Sequence, residues 1–193
     1  MNPWFAKTSV LLGGLILVVI RARYRFKIQN ANAVKNRMGR LEVALLALAS
    51  IGFVVPLLWV VSSVFAAADY SLHLIPFIAG LLCLMLGLLF FVRAHAALGA
   101  NWSATLKVQE GHELITSGIY RHVRHPMYLA LLLYSLGQAL VIPNFVAGPS
   151  CGAAMAVLFL LRVNVEERLM LEHFGKDYQV YIARTKRLIP GVW

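Results

Sequence analysis

Charge is too scarce in this sequence to coat a soluble core. Asp, Glu, Lys and Arg make up 13% of the 193 residues, whereas 60% are hydrophobic. Soluble domains carry roughly 25% charged residues. A soluble fold hides apolar side chains behind a charged surface, and this chain lacks the residues to build one. Its apolar runs fall instead at about 4–20, 41–65, 74–97, 127–142 and 146–163. About twenty residues of helix cross the hydrocarbon of a bilayer. Inside lipid a helix satisfies its own backbone hydrogen bonds. The expected fold is therefore an all-α integral membrane protein with about five transmembrane helices.

The charged residues sort by segment, and the sorting predicts a topology. Segment 21–40 carries seven Lys or Arg and no Asp or Glu. A basic flank after the first apolar run, rather than before it, marks a retained span and not a signal peptide. Part of this segment is expected to lie on the membrane as an interfacial amphipathic helix. The polar stretch 98–125 and the tail 166–193 are also basic, whereas the turns near 66–73 and 143–149 contain no Lys or Arg. Five spans with an outer N-terminus and a cytoplasmic C-terminus satisfy the bias of Lys and Arg toward cytoplasmic loops. The net charge of +10 is explained by that bias and by anionic lipid, so nucleic acid is not expected as a partner.

Single residues punctuate the spans. Pro56 is expected to bend the second helix, and Gly80 and Gly87 permit close helix contacts in the third. Pro143, Asn144, Gly148 and Pro149 predict a tight reversal that makes the last two spans a helical hairpin. The first arm of that hairpin has about 16 residues, or roughly 24 Å of helix, which is short for a bilayer. Gly175 predicts a break in the helical tail. Cys83 and Cys151 lie in apolar runs without CxxC spacing and read as buried small side chains.

Two clusters concentrate polar chemistry. The first is HELITSGIYRHVRHPMY, from His112 to Tyr128. Pro126 suits the first turn of the following helix, whose N–H groups can bind a carboxylate or phosphate. His122 and His125 are three apart, but HxxH alone is weak support for a metal, and no metal is expected. The competing reading is that Arg121, His122 and Arg124 anchor a helix end at lipid headgroups. The second cluster is RVNVEERLMLEHFG, from Arg162 to Gly175. Arg162 and Glu166 are four apart and share a helix face, with Glu167 roughly 100° further round. They form either a snorkelling arginine with terminal glutamates or a pocket offering a cation and a carboxylate.

At these clusters the chain resembles the isoprenylcysteine carboxyl methyltransferase family and its phospholipid methyltransferase relatives. The matching stretches are ELITSGIYRHVRHPMYLALLLYSLGQAL and RVNVEERLMLEHFGKDYQVYIARTKRLIP, roughly the C-terminal half. Ala130 stands where the family motif has glycine. The resemblance implies a membrane methyltransferase using S-adenosylmethionine, with no glycine-rich dinucleotide fingerprint. It implies cofactor contacts at Gln109, His112, Glu113, Leu114, Ile115, Tyr120, His125, Pro126, Met127, Tyr128 and Glu166. Arg162 is implied as the residue that binds the substrate carboxylate, and Arg162 and Glu166 as the catalytic pair.

The implied reaction is methylation of the C-terminal carboxylate of a prenylated cysteine, in a cytoplasm-facing pocket, with membrane lipids as further partners. A C-terminal carboxylate, with a reference pKa of about 3.5, is ionised near neutral pH and needs no general base. Methylation of a phospholipid amine or another lipophilic acceptor is the alternative reaction, and a non-catalytic scaffold or transporter subunit the alternative class. The chain divides into N-terminal helices with their basic loop, 1–97, and a methyltransferase region, 98–193.

Overall fold

The computed structural model describes residues 2–25, 33–36, 39–101, 107–109 and 113–189. Its described elements run in the order α1 (Trp4–Arg25), β1 (Ala33–Asn36), α2 (Arg40–Val61), α3 (Leu74–Leu98), β2 (Lys107–Gln109), α4 (Pro126–Val141), α5 (Ala147–Phe174) and α6 (Lys176–Arg184). Short 3-10 turns occupy Ala66–Ala68, Gly99–Asn101 and Gly118–Arg121.

Among the described residues, α1, α2, α3 and α5 are long and apolar enough to cross a membrane. The fold is thus a multi-pass, essentially all-α membrane fold with four such helices, not about five. The difference lies in α4. Pro126 opens this helix and it closes after 16 residues, just before Pro143. It is also packed on several sides: Ala130, Tyr134, Ser135, Gly137, Gln138 and Val141 are all buried. α4 is a central helix, held between α3 and α5. The long helices instead present leucine, valine and isoleucine outward, as at Leu12, Leu15, Ile51, Leu82 and Leu160. That surface suits lipid and inverts the pattern of a soluble protein.

α3 packs along α4, and α2 along α5. The α3–α4 contact is close because glycines face each other across it. A Cβ at Gly87 would come within 2.7 Å of the Tyr134 backbone nitrogen, and one at Gly137 within 2.7 Å of the Leu84 nitrogen. Gly80 and Gly87 therefore do bring two backbones together. α2 continues through the buried Pro56 to Val61.

The reversal between α4 and α5 is tighter than expected. Residues 142–146 make it, while Gly148 and Pro149 already lie in the first turn of α5. Gly175, at φ 53°, breaks α5 from α6, as its position predicts. Cys83 and Cys151 are both free thiols, and Cys151 is buried.

In the basic segment between α1 and α2, Ala33–Asn36 is a strand; the expected interfacial amphipathic helix otherwise falls outside the described residues. The strand pairs antiparallel with Lys107–Gln109, Asn36 opposite Lys107. Two remote polar segments are thereby joined at the same end of the bundle.

Candidate active site

The two polar clusters meet around a cavity of about 360 Å³. The N-terminus of α4 and the middle turns of α5 form one side. α1, α2 and α3 contribute Arg21, Leu46, Ser50, Phe53 and Phe91, and α5 and α6 add Phe174, Tyr178 and Tyr181. Of the residues singled out in the sequence, Glu113, Leu114, Ile115, Tyr120, His125, Met127, Tyr128, Arg162 and Glu166 all line this space. Pro126 is buried at the first position of α4 and is not among the walls. His112 lies outside the described residues. Gln109 lies on β2.

Glu166 points toward the cavity. The Tyr128 hydroxyl donates to its Oε2 at 3.0 Å. Arg162 Nε lies 3.8 Å from the same oxygen, as their spacing on one helix face predicts. His125 Nδ1 is 3.8 Å from Glu166 Oε1. The next residue turns away and does something different. Glu167 collects Arg124 Nε at 2.9 Å, His125 Nε2 at 3.1 Å and Arg187 Nη2 at 2.7 Å. Arg187 also donates through Nε, at 3.1 Å, and reaches Asn164 Oδ1 at 2.9 Å. One buried carboxylate thus ties the start of α4 and the C-terminal tail to α5.

The tail is fastened along its backbone as well. Arg124 and His125 donate their N–H groups to the carbonyls of Lys186 and Arg187, at 2.8 and 3.0 Å. Arg124 Nη1 also donates to the carbonyl of Thr185. The N–H groups just ahead of α4 are therefore spent on the tail and not offered to an anion. Tyr181 donates its hydroxyl to the Tyr120 carbonyl at 2.7 Å. Burial pushes the Tyr181 phenol up to about 12, against the opposing influence of Arg124, so it stays a donor across the physiological range. Burial likewise raises Tyr178 and Tyr120.

The 113–115 segment is held from the end of α3, where Asn101 Oδ1 accepts the Glu113 N–H at 3.0 Å. His122 is exposed whereas His125 is buried, so the HxxH pair does not share an environment. Among the described residues, no three His, Cys, Asp or Glu side chains converge as metal ligands do.

The sequence did not reveal one partner. Glu42, buried in the first turn of α2, sets its Oε1 3.3 Å from Arg162 Nη1. An acidic residue at the edge of an apolar run was the available signal, because a carboxylate there calls for a cation.

The cavity offers a donor set that fits S-adenosylmethionine. Carboxylates at Glu113 and Glu166 suit an ammonium or ribose hydroxyls. The rings of Tyr120, Tyr128, Tyr178 and Phe174 suit a purine and a sulfonium.

Comparison with known proteins points the same way. The model of the "Isoprenylcysteine carboxyl methyltransferase (ICMT) family" matches residues 78–172, from α3 to the end of α5. Protein-S-isoprenylcysteine O-methyltransferase B of Arabidopsis thaliana is 28% identical over 115 residues, covering 58% of this chain and 58% of that protein. The Schizosaccharomyces pombe protein-S-isoprenylcysteine O-methyltransferase is 30% identical over 111 residues, covering 58% and 47%. The human one is 28% identical over 117 residues, covering 60% and 41%. The chain spans about half the length of the curated relatives it matches. A solved structure of the eukaryotic intramembrane Ras methyltransferase superposes with a TM-score of 0.55 at 22% identity, covering 82% of this chain and 55% of that one. That likeness is one of fold.

Proposed function

The chain belongs to the isoprenylcysteine carboxyl methyltransferase family, and from that membership we propose that it methylates the C-terminal carboxylate of a prenylated cysteine with S-adenosylmethionine. The observation that carries the proposal is the convergence of both motif clusters on one cavity, with Arg162 and Glu166 in its wall. When bound, S-adenosylmethionine supplies an electrophilic methyl group. Glu113, Leu114, Ile115, Tyr120, Met127, Tyr128 and Glu166 would hold it, with Gln109 and His112 nearby in the chain. His125 and Pro126 support them, His125 through Glu167 and Pro126 through the helix start.

Arg162 orients the acceptor carboxylate, which arrives ionised and needs no proton removed. Tyr128 holds Glu166 by a single hydrogen bond and so fixes the carboxylate that faces the cofactor. The apolar walls from Leu46, Phe53, Leu131, Met155 and Leu158 accept a prenyl chain and keep water from competing for the methyl group.

The same proposal includes orientation. Arg21 and Arg124 line the cavity and Arg187 binds Glu167 beside it, so the cavity end carries the basic charge and by it faces the cytoplasm. α4 and α5 then form a helical hairpin, with the 16-residue α4 as its short central arm. Under this reading 98–193 supplies the methyltransferase motifs, and 1–97 supplies apolar walls and the partner of Arg162. Its partners are the prenylated acceptor and membrane lipids.

The test is transfer of labelled methyl from S-adenosylmethionine to a farnesylated cysteine, beside a parallel reaction on phosphatidylethanolamine. A base-labile methyl ester, lost in Arg162→Gln, is the expected product. Label in the lipid amine alone would move the assignment to a phospholipid methyltransferase. Label in neither, with no cofactor bound by folded protein, would leave a non-catalytic membrane protein.

A further inference from the structure

Arg162 stands between two cavities. One face borders the large cavity, and the other borders a pocket of about 100 Å³ between α2 and α5, lined by Gly39, Leu41, Leu45, Leu161, Val165 and Glu42. Glu42 belongs to that second pocket and is not among the walls of the large one. Its carboxylate therefore touches Arg162 from behind and not the acceptor. It is 4% exposed and surrounded by leucine and valine, where an ionised carboxylate is costly unless paired. Its place is also outside the family-matched residues 78–172, so the match with relatives assigns it nothing.

We infer that Glu42 is a positioning residue for methyl transfer, holding Arg162 and sharing its charge so that the acceptor carboxylate is oriented without being over-stabilised. The inference rests on the reading that Arg162 faces an acceptor carboxylate. In that reaction a carboxylate oxygen forms a bond to the methyl carbon while the carbon–sulfur bond breaks and its electron pair goes to sulfur. The negative charge on the carboxylate and the positive charge on sulfur disappear together. A guanidinium devoted wholly to the carboxylate would stabilise the charged ground state more than the transition state, and so slow the reaction. Here the guanidinium is divided. Glu42 lies 3.3 Å from Nη1 and Glu166 3.8 Å from Nε. Two carboxylates already share its charge before the acceptor arrives. The prenyl acid is then bound by its chain and aimed by Arg162, with its charge still available for bond formation.

The experiment compares Glu42→Gln with wild type in detergent, on farnesylated cysteine and S-adenosylmethionine. Glutamine keeps the shape but removes the shared charge. The acceptor KM should fall about threefold and kcat about tenfold, with the KM for S-adenosylmethionine unchanged. A second readout needs no turnover. Glu42→Gln should bind the farnesylated acid more tightly than wild type, and the uncharged farnesyl methyl ester equally. If the glutamine variant does not fold, Glu42→Asp, whose shorter side chain draws the charge away, should show the same directions with smaller changes. Unchanged acceptor KM and kcat would overturn the inference. So would a parallel loss of both KM values with a lowered Tm, which is what a merely structural residue gives. If wild type methylates no farnesylated cysteine, the parent reading fails and takes this inference with it. Wild-type activity with an unmoved Gln variant defeats the inference alone.

Discussion

The two ends of the helix bundle both bury polar groups, but they use them in opposite ways. At the turn end Asn144 is 1% exposed and every group on its amide is spent. Its Nδ2 donates to the Phe65 carbonyl at 2.7 Å and to Asp69 Oδ1 at 2.6 Å, and its Oδ1 accepts the N–H groups of Val146 and Ala147. Trp59 adds a bond to the same Asp69 oxygen at 2.8 Å, and Tyr70 and Phe145 cross-link the two turns through their backbones. At the cavity end, Arg162 and Glu166 sit at 3.3–3.8 Å from their ion-pair partners and line an open space. Saturated networks make a structure rigid. Looser charges beside a cavity are available to a ligand. The cavity end has a saturated carboxylate of its own in Glu167, but only there do looser charges stand beside a cavity.

That division can be broken by substitution. The largest expected effect is at the cavity. Arg162→Gln lowers kcat/KM for a carboxylate acceptor by about 10³-fold, about 4 kcal/mol of transition-state stabilisation. Because the substitution also strands the buried Glu42, activity is read on the folded fraction. Next is Asn144→Ala, which strands the N–H groups of Val146 and Ala147 and costs about 3 kcal/mol of stability. Thermal unfolding in detergent should reveal it, while cofactor affinity of the folded fraction stays as in wild type. Gly87→Ala pushes a methyl group into the Tyr134 backbone and should cost about 2 kcal/mol, read in the same melt. The smallest effect is Tyr128→Phe. It removes one bond to Glu166 and weakens S-adenosylhomocysteine binding by about 1 kcal/mol, measured by calorimetry, with stability barely changed. A stability loss in Tyr128→Phe equal to that in Asn144→Ala would erase the contrast.

Local spacing accounts for what could be read without the structure. Pro126 opens a helix because it lacks an N–H, and Gly175 closes one because it adopts a positive φ. Arg162 and Glu166 meet because they are four apart on a helix. The unread parts depend on which surfaces tertiary packing brings together. Nothing local pairs Glu42 with Arg162, 120 residues away. The rotation between Glu166 and Glu167 is plain from helix geometry. That one faces the cavity while the other binds three basic side chains depends on where α4 and the tail dock. The shortness of α4 was visible, but not its consequence, because only neighbours such as Gly87 reveal a helix packed among others. The strand at Ala33–Asn36 exists through its partner at Lys107–Gln109, and a lone basic segment does not announce one.

The central claim is that the cavity end holds S-adenosylmethionine through Glu166 and its surroundings, and calorimetric titration of S-adenosylhomocysteine tests it most directly. Wild type should show one saturable site, weakened about tenfold in Glu166→Gln and unaltered in folded Asn144→Ala. No saturable binding by folded wild type, or equal affinity in wild type and Glu166→Gln, would contradict the account.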